Sequence, residues 1–134
     1  YNSGKGVGSS MNVVDSSGWL EYFADGPNAD FFAPSIENIE ELIVPSISIF
    51  EVFKRILQQR SEDAALQAIV AMQQGTLIDL DSTIAIHAAK LSAKLKIPMA
   101  DSIILETARA NNATVWTQDA DFKGLDGIQY IKKG

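Results

Sequence analysis

From Met11 onward the chain alternates short apolar runs, rich in β-branched residues, with longer segments whose apolar residues recur at helical spacing. A parallel sheet covered by helices requires that order, because each apolar face of the sheet has to be buried against another element. The expected strands are Asn12-Val13-Val14, Leu42-Ile43-Val44, Leu77-Ile78-Asp79-Leu80, Thr114-Val115-Trp116 and Ile128-Gln129-Tyr130-Ile131. A short helix capped by Ser16 or Ser17 is expected to carry Trp19, Leu20, Tyr22 and Phe23, and a second runs from about Asn28 to Asn38. Pro45-Ser46 marks the start of a third, through Ile49, Phe50, Phe53, Ile56 and Leu57. A fourth covers 62–74 and is closed by Gly75 as its C-terminal cap. Asp81 or Ser82 caps a fifth through Ile84, Ala88, Leu91 and Leu95, and Pro98 separates it from a sixth, Ala100 to Ala110. The expected fold class is α/β, with three layers α/β/α around a small central parallel sheet.

A chain of 134 residues, 46% hydrophobic and 21% charged, holds enough apolar material for one core, so 11–134 read as a single domain. Residues 1–10, YNSGKGVGSS, lack hydrophobic periodicity and read as a remnant of expression tagging. Their glycines do not make a phosphate loop, because no strand precedes them and the G-x-x-x-x-G-K-[ST] spacing is missing. The absence of cysteine excludes disulfides, thiolate metal sites and a thiol nucleophile, and permits an intracellular, reducing setting; a cytoplasmic location is the expectation. No apolar stretch approaches the roughly 20 residues needed to span a bilayer. A net charge of -6 argues against a broad basic face for nucleic acid. Any contact with nucleic acid is therefore expected to be narrow or metal-assisted.

In an open parallel sheet, ligands collect beyond the carboxyl ends of the strands, which directs attention to acids that follow strands. Asp15 directly follows the first strand, and Asp119 lies just beyond Trp116 in Thr117-Gln118-Asp119-Ala120-Asp121-Phe122. The two meet at one sheet edge if their strands are parallel neighbours. Glu51 and Asp101 are helical acids in apolar company, in Ser48-Ile49-Phe50-Glu51-Val52-Phe53 and Pro98-Met99-Ala100-Asp101-Ser102-Ile103-Ile104-Leu105. Taken alone, Glu51 is ambiguous, and Asp101 in a first helical turn is accounted for by the helix dipole. Four carboxylates brought together would repel unless a cation compensates, and hard oxygen ligands select Mg²⁺, Mn²⁺ or Ca²⁺ over zinc.

The segments VVDSSGWLEYF, PSISIFEVFKR and PMADSIILETARANNATVWTQDADF, with the alternation between them, resemble the PIN-domain family. Within it, the pattern is most similar to the toxins of VapBC-type toxin–antitoxin pairs, over Met11 to the C-terminus. The resemblance implies a ribonuclease that uses Mg²⁺ or Mn²⁺, with metal-site roles for Asp15, Glu51, Asp101 and Asp119. It adds Asp121 as a further acid and Ser16 and Thr117 as supporting hydroxyls. It also implies a cognate antitoxin as protein partner and a homodimer.

The implied chemistry is in-line attack of an activated water on phosphorus, leaving a 5′-phosphate and a 3′-hydroxyl. Asp15, Asp101 and Asp119 would be the main ligands, while Glu51 would serve a second ion or orient the water. A metal-free ribonuclease ordinarily needs paired acid and base groups, and His87, the one histidine, sits among Ala85, Ile86 and Ala88 as a packing or surface residue. Lys54, Arg55 and Arg109 are the candidates for holding RNA, whereas Lys90 and Lys94, four residues apart, read as a solvated face. Two other classes stand beside this reading. A phosphotransfer domain calls for an adjacent acid pair or D-x-D after the first strand, and this chain has Asp15-Ser16-Ser17 there. A non-catalytic interaction domain would show no metal-dependent RNA cleavage.

Overall fold

The computed structural model describes residues 11–134, so the expectation for residues 1–10 lies outside the described residues. In chain order the elements are β1 (Asn12–Val14), α1 (Ser16–Phe23), α2 (Ala29–Glu37), β2 (Leu42–Pro45), α3 (Ser46–Gln59), α4 (Glu62–Met72), β3 (Thr76–Ile78), α5 (Ser82–Leu95), α6 (Met99–Ala110), β4 (Thr114–Thr117) and β5 (Ile128–Tyr130). The strands form one sheet in the order β3-β2-β1-β4-β5, and every neighbouring pair is parallel.

β1 lies at the centre, so both its faces must be apolar. Val13 and Val14 are both fully buried and point to opposite sides. Val14 joins Trp19, Phe32, Leu42, Val44, Val52, Ile56 and Met72 in the core beneath α1–α4. Val13 joins Ile43, Ile104, Leu105, Ala108, Val115 and Phe122 in the core beneath α6. A smaller cluster of Ile84, Ala88 and Ile103 fastens α5 to α6. These are the three layers expected from the sequence. Among the described residues no helix is long and apolar enough to cross a membrane.

Three local expectations are corrected. The cap of α1 is Asp15 rather than Ser16 or Ser17: its side chain accepts from the Gly18 N–H at 3.0 Å, and the helix starts one residue earlier in consequence. Asp81, not Ser82, caps α5 by accepting from the Ile84 N–H at 2.9 Å. Gly75 does not cap α4, which ends at Met72 with Gln73 as its cap. Gly75 is needed for close approach instead, because a Cβ there would stand 2.9 Å from the Leu42 carbonyl oxygen of β2. The left-handed residue that ends α5 is Lys96, at φ 58°.

Register places the site. Val13 pairs with Val115 and Val14 with Trp116, so β1 and β4 reach the same edge of the sheet together. The Asp15 N–H donates to the Trp116 carbonyl at 3.1 Å, which sets Asp15 beside Thr117. Gly18 lets α1 descend on that edge, since a Cβ there would lie 2.6 Å from a Val14 methyl and 2.7 Å from the Phe32 ring.

Candidate functional site

Asp15 is 2% exposed and accepts from every side. Its Oδ1 receives the Gly18 N–H at 3.0 Å and the Ser17 hydroxyl at 2.8 Å, and its Oδ2 receives the Thr117 hydroxyl at 2.9 Å. Thr117, fully buried at the end of β4, also accepts the Asp119 N–H at 2.8 Å. One hydroxyl thus couples two acids that lie about a hundred residues apart in the chain. Asp119 in turn caps the short turn 120–122, accepting the Asp121 N–H at 2.9 Å.

Asp101 enters from the first turn of α6. It offers a carboxylate oxygen to a group with Asp119 and Asp121, in which the three oxygens lie within 4.8 Å of one another. Asp15 lies outside that group of three but lines the same cleft beside it, linked to Asp119 through the Thr117 hydroxyl. Glu51 reaches the same cleft from α3, but outside that group of three; its Oε1 accepts the Ser16 hydroxyl at 2.6 Å. The cleft has a volume of about 800 Å³. Lys54 and Arg55 line it, whereas Arg109 sits at the far end of α6 against the Asp126 carbonyl at 3.4 Å. His87 is on the surface, half exposed and paired with Glu106 at 3.5 Å.

Electrostatics sets the chemistry of this edge. Burial pushes the Asp15 carboxyl up to about 6, against the lowering effect of its Ser17, Gly18 and Thr117 hydrogen bonds, and the charge of Asp119 adds to the rise. Asp101 is held well above the ordinary carboxylate range by burial first, then by the charge of Asp119 and a hydrogen bond to Asp121. Two carboxyls joined by a hydrogen bond need a proton between them, and a cation can take its place. Among the described residues no Lys or Arg nitrogen lies within 4.0 Å of these acids. An all-oxygen donor set, closely spaced and, among the described residues, without a basic side chain in salt-bridge contact, suits a hard divalent cation and is the wrong chemistry for a soft-ligand metal.

This arrangement has a thermodynamic consequence. An acid whose folded-state pKa is raised contributes stability below its unfolded value of 3.8 and loses it as pH rises through the folded value. For Asp15 that window runs from about pH 4 to about pH 6, and Asp101 carries the loss to higher pH. Metal-free protein is therefore expected to melt at a lower temperature at pH 8 than at pH 5. Millimolar Mn²⁺ is expected to raise the midpoint much more at pH 8, as differential scanning fluorimetry can measure.

Several residues at the edge escaped the sequence reading. Ser17 holds both Asp15 oxygens, at 2.8 and 3.0 Å, and its position two residues past a capping Asp was the available signal. Gln118 is 6% exposed and bridges Asn28 at 2.9 Å and Glu21 at 3.3 Å, fixing the segment that carries Asp119. Asn28 also donates to the Lys132 carbonyl at 3.0 Å, so the same network holds the segment that brings Lys133 to the cleft. Nothing in the local pattern marked Gln118, because its partners come from distant turns.

A family model described as the PIN domain matches residues 13–128. Among solved structures, the chain is similar to a toxin–antitoxin complex from Klebsiella pneumoniae, with a TM-score of 0.74 at 21% identity, over 89% of this chain and 96% of that one. It is also similar to a DNA-bound VapBC from Salmonella typhimurium, with a TM-score of 0.71 at 18% identity, over 91% and 97%. A third is the Mycobacterium tuberculosis toxin VapC20, described as cleaving the sarcin–ricin loop, with a TM-score of 0.70 at 12% identity, over 84% and 92%. No curated protein sequence matches. At these identities the likeness is one of fold.

Proposed function

The chain belongs to the PIN domain family, and from that premise we propose that it is a divalent-metal-dependent endoribonuclease, the toxin of a toxin–antitoxin pair. The observation that carries the proposal is the gathering of Asp101, Asp119 and Asp121 within 4.8 Å beside the buried Asp15, at the end of the two central strands.

Asp15, Asp101 and Asp119 are assigned to hold Mg²⁺ or Mn²⁺, with Asp121 able to serve as a further ligand. Held by these carboxylates, a divalent ion would supply Lewis acidity towards water and the phosphate oxygens. The protein's part is preorganisation. Ser17 and Thr117 hold Asp15 in one orientation before anything binds, so no ordering cost falls on the reaction itself. Glu51, steadied by Ser16 on the α3 side of the cleft, is assigned to orient the attacking water. Lys54 and Arg55 on the same helix neutralise phosphates entering past the acids. Attack in line with the departing 3′-oxygen leaves a 5′-phosphate on one fragment and a 3′-hydroxyl on the other.

Inhibition is assigned to a protein antitoxin, and self-association to a homodimer. The nuclease reading is tested by incubating single-stranded RNA with the purified protein and Mn²⁺ or Mg²⁺. Cleavage to 5′-phosphate ends, stopped by EDTA and restored by excess metal, is the expected result. Cleavage that is insensitive to EDTA, or none at millimolar Mn²⁺, would reject it.

A further inference from the structure

Phe50 is 60% exposed and lines the cleft immediately beside Glu51. Consecutive residues on a helix are separated by a rise of about 1.5 Å and a turn of about 100°, so Phe50 stands level with Glu51 on the adjoining stripe of α3. One turn along, Lys54 holds its Nζ over one face of the Phe50 ring, 5.8 Å from the centroid. Arg55 and Lys133 line the same cleft, so three of the eleven Lys and Arg in a chain of net charge -6 are gathered here. Beyond Phe50 the α3 wall continues as Lys54, Gln58 and Gln59, which is not the aliphatic surface that would bury against a protein helix.

An accessible aromatic face flanked by cations and amides matches the chemistry of an unpaired nucleotide, with the base on the ring and its phosphates on the cations. A base in a duplex has both faces covered and cannot use such a ring. We propose that Phe50 is the stacking platform for an unpaired base next to the scissile phosphate, and that it confines cleavage to single-stranded RNA. The proposal rests on the nuclease reading above and adds to it a residue that selects the substrate without touching the reacting atoms. An acidic protein needs such a contact, because its few cations supply little affinity for a polyanion.

The test compares the parent with Phe50→Leu, which keeps the apolar bulk and removes the π face, and Phe50→Trp, which restores it. Steady-state cleavage of a short single-stranded RNA is expected to show KM raised about tenfold in the Leu variant, with kcat within twofold, and KM returned towards the parent value in the Trp variant. A second readout needs no turnover. In an Asp101→Asn background, a short RNA carrying 2-aminopurine at successive positions is expected to be quenched at one position, and the quench to vanish with Phe50→Leu. A Leu variant with unchanged KM and unchanged quenching would overturn the proposal, leaving Phe50 to a protein partner, while cleavage by the parent would keep the nuclease reading intact. Should the parent fail to cut RNA with Mn²⁺, the nuclease reading falls, and the quenching experiment still decides whether Phe50 stacks on a base.

Discussion

Asp101→Asn is expected to lower RNA cleavage by about 10³-fold or more while making the metal-free protein more stable at pH 8. The two effects have one cause. Asp101 is half-buried beside Asp119 and Asp121, and each like charge makes its ionised form more costly. The amide has nearly the same shape, so the packing around α6 survives, but it neither repels its neighbours nor contributes a negative ligand. Loss of activity accompanied by a higher melting temperature separates a metal-site role from misfolding, which would lower both. Asp119→Asn is expected to act in the same direction, with part of the gain offset because the Asp119 side chain also caps the 120–122 turn. A variant that cuts like the parent would remove Asp101 from the site.

Phe32→Ala is expected to cost about 3–5 kcal/mol, the range for emptying a fully buried aromatic position. Phe32 is 0% exposed, meets Phe31 edge-to-face, and its ring lies where a side chain on Gly18 would have to go. It therefore supports the point at which α1 comes down on β1, and the Gly18 N–H that caps onto Asp15 depends on that descent. Against a typical domain stability of about 5–15 kcal/mol the change is large, and urea denaturation should show a clear fall in midpoint. Trp19→Phe is the contrasting case. Trp19 is equally buried but its Nε1 has no hydrogen-bond partner among the described residues, so the smaller ring removes volume without breaking a bond, and the loss should be well below that for Phe32→Ala.

Much of this architecture was legible because it follows from periodicity. Val13-Val14, Ile43-Val44 and Val115 are β-branched residues in short runs between helical segments, and a right-handed crossover leaves such runs few ways to pair other than in parallel. The acids at the sheet edge were legible for the same reason: once β1 and β4 are parallel neighbours, Asp15 and Asp119 emerge at the same edge, with Thr117 as the residue that links them. What escaped detection depends on three-dimensional neighbours. Gly75 looked like a helix cap, and its real constraint is the Leu42 carbonyl across the sheet. Lys96 takes the left-handed cap conformation that a glycine would announce, and a lysine carries no such signal. Arg109 is as basic as Arg55, but α6 carries it away from the cleft and α3 carries Arg55 into it. Glu51 was ambiguous from its neighbours in sequence; its link to Ser16 spans two helices.

The claim on which the rest depends is that acids from β1, α6 and the turn after β4 share one divalent ion. Anomalous diffraction from crystals soaked in Mn²⁺ near pH 8 measures this directly. The expected result is a manganese peak within coordination distance of Asp101 and Asp119 and adjoining Asp15, absent from the Asp101→Asn protein. Carboxylates left without a peak at millimolar Mn²⁺, or a peak elsewhere on the surface, would contradict it.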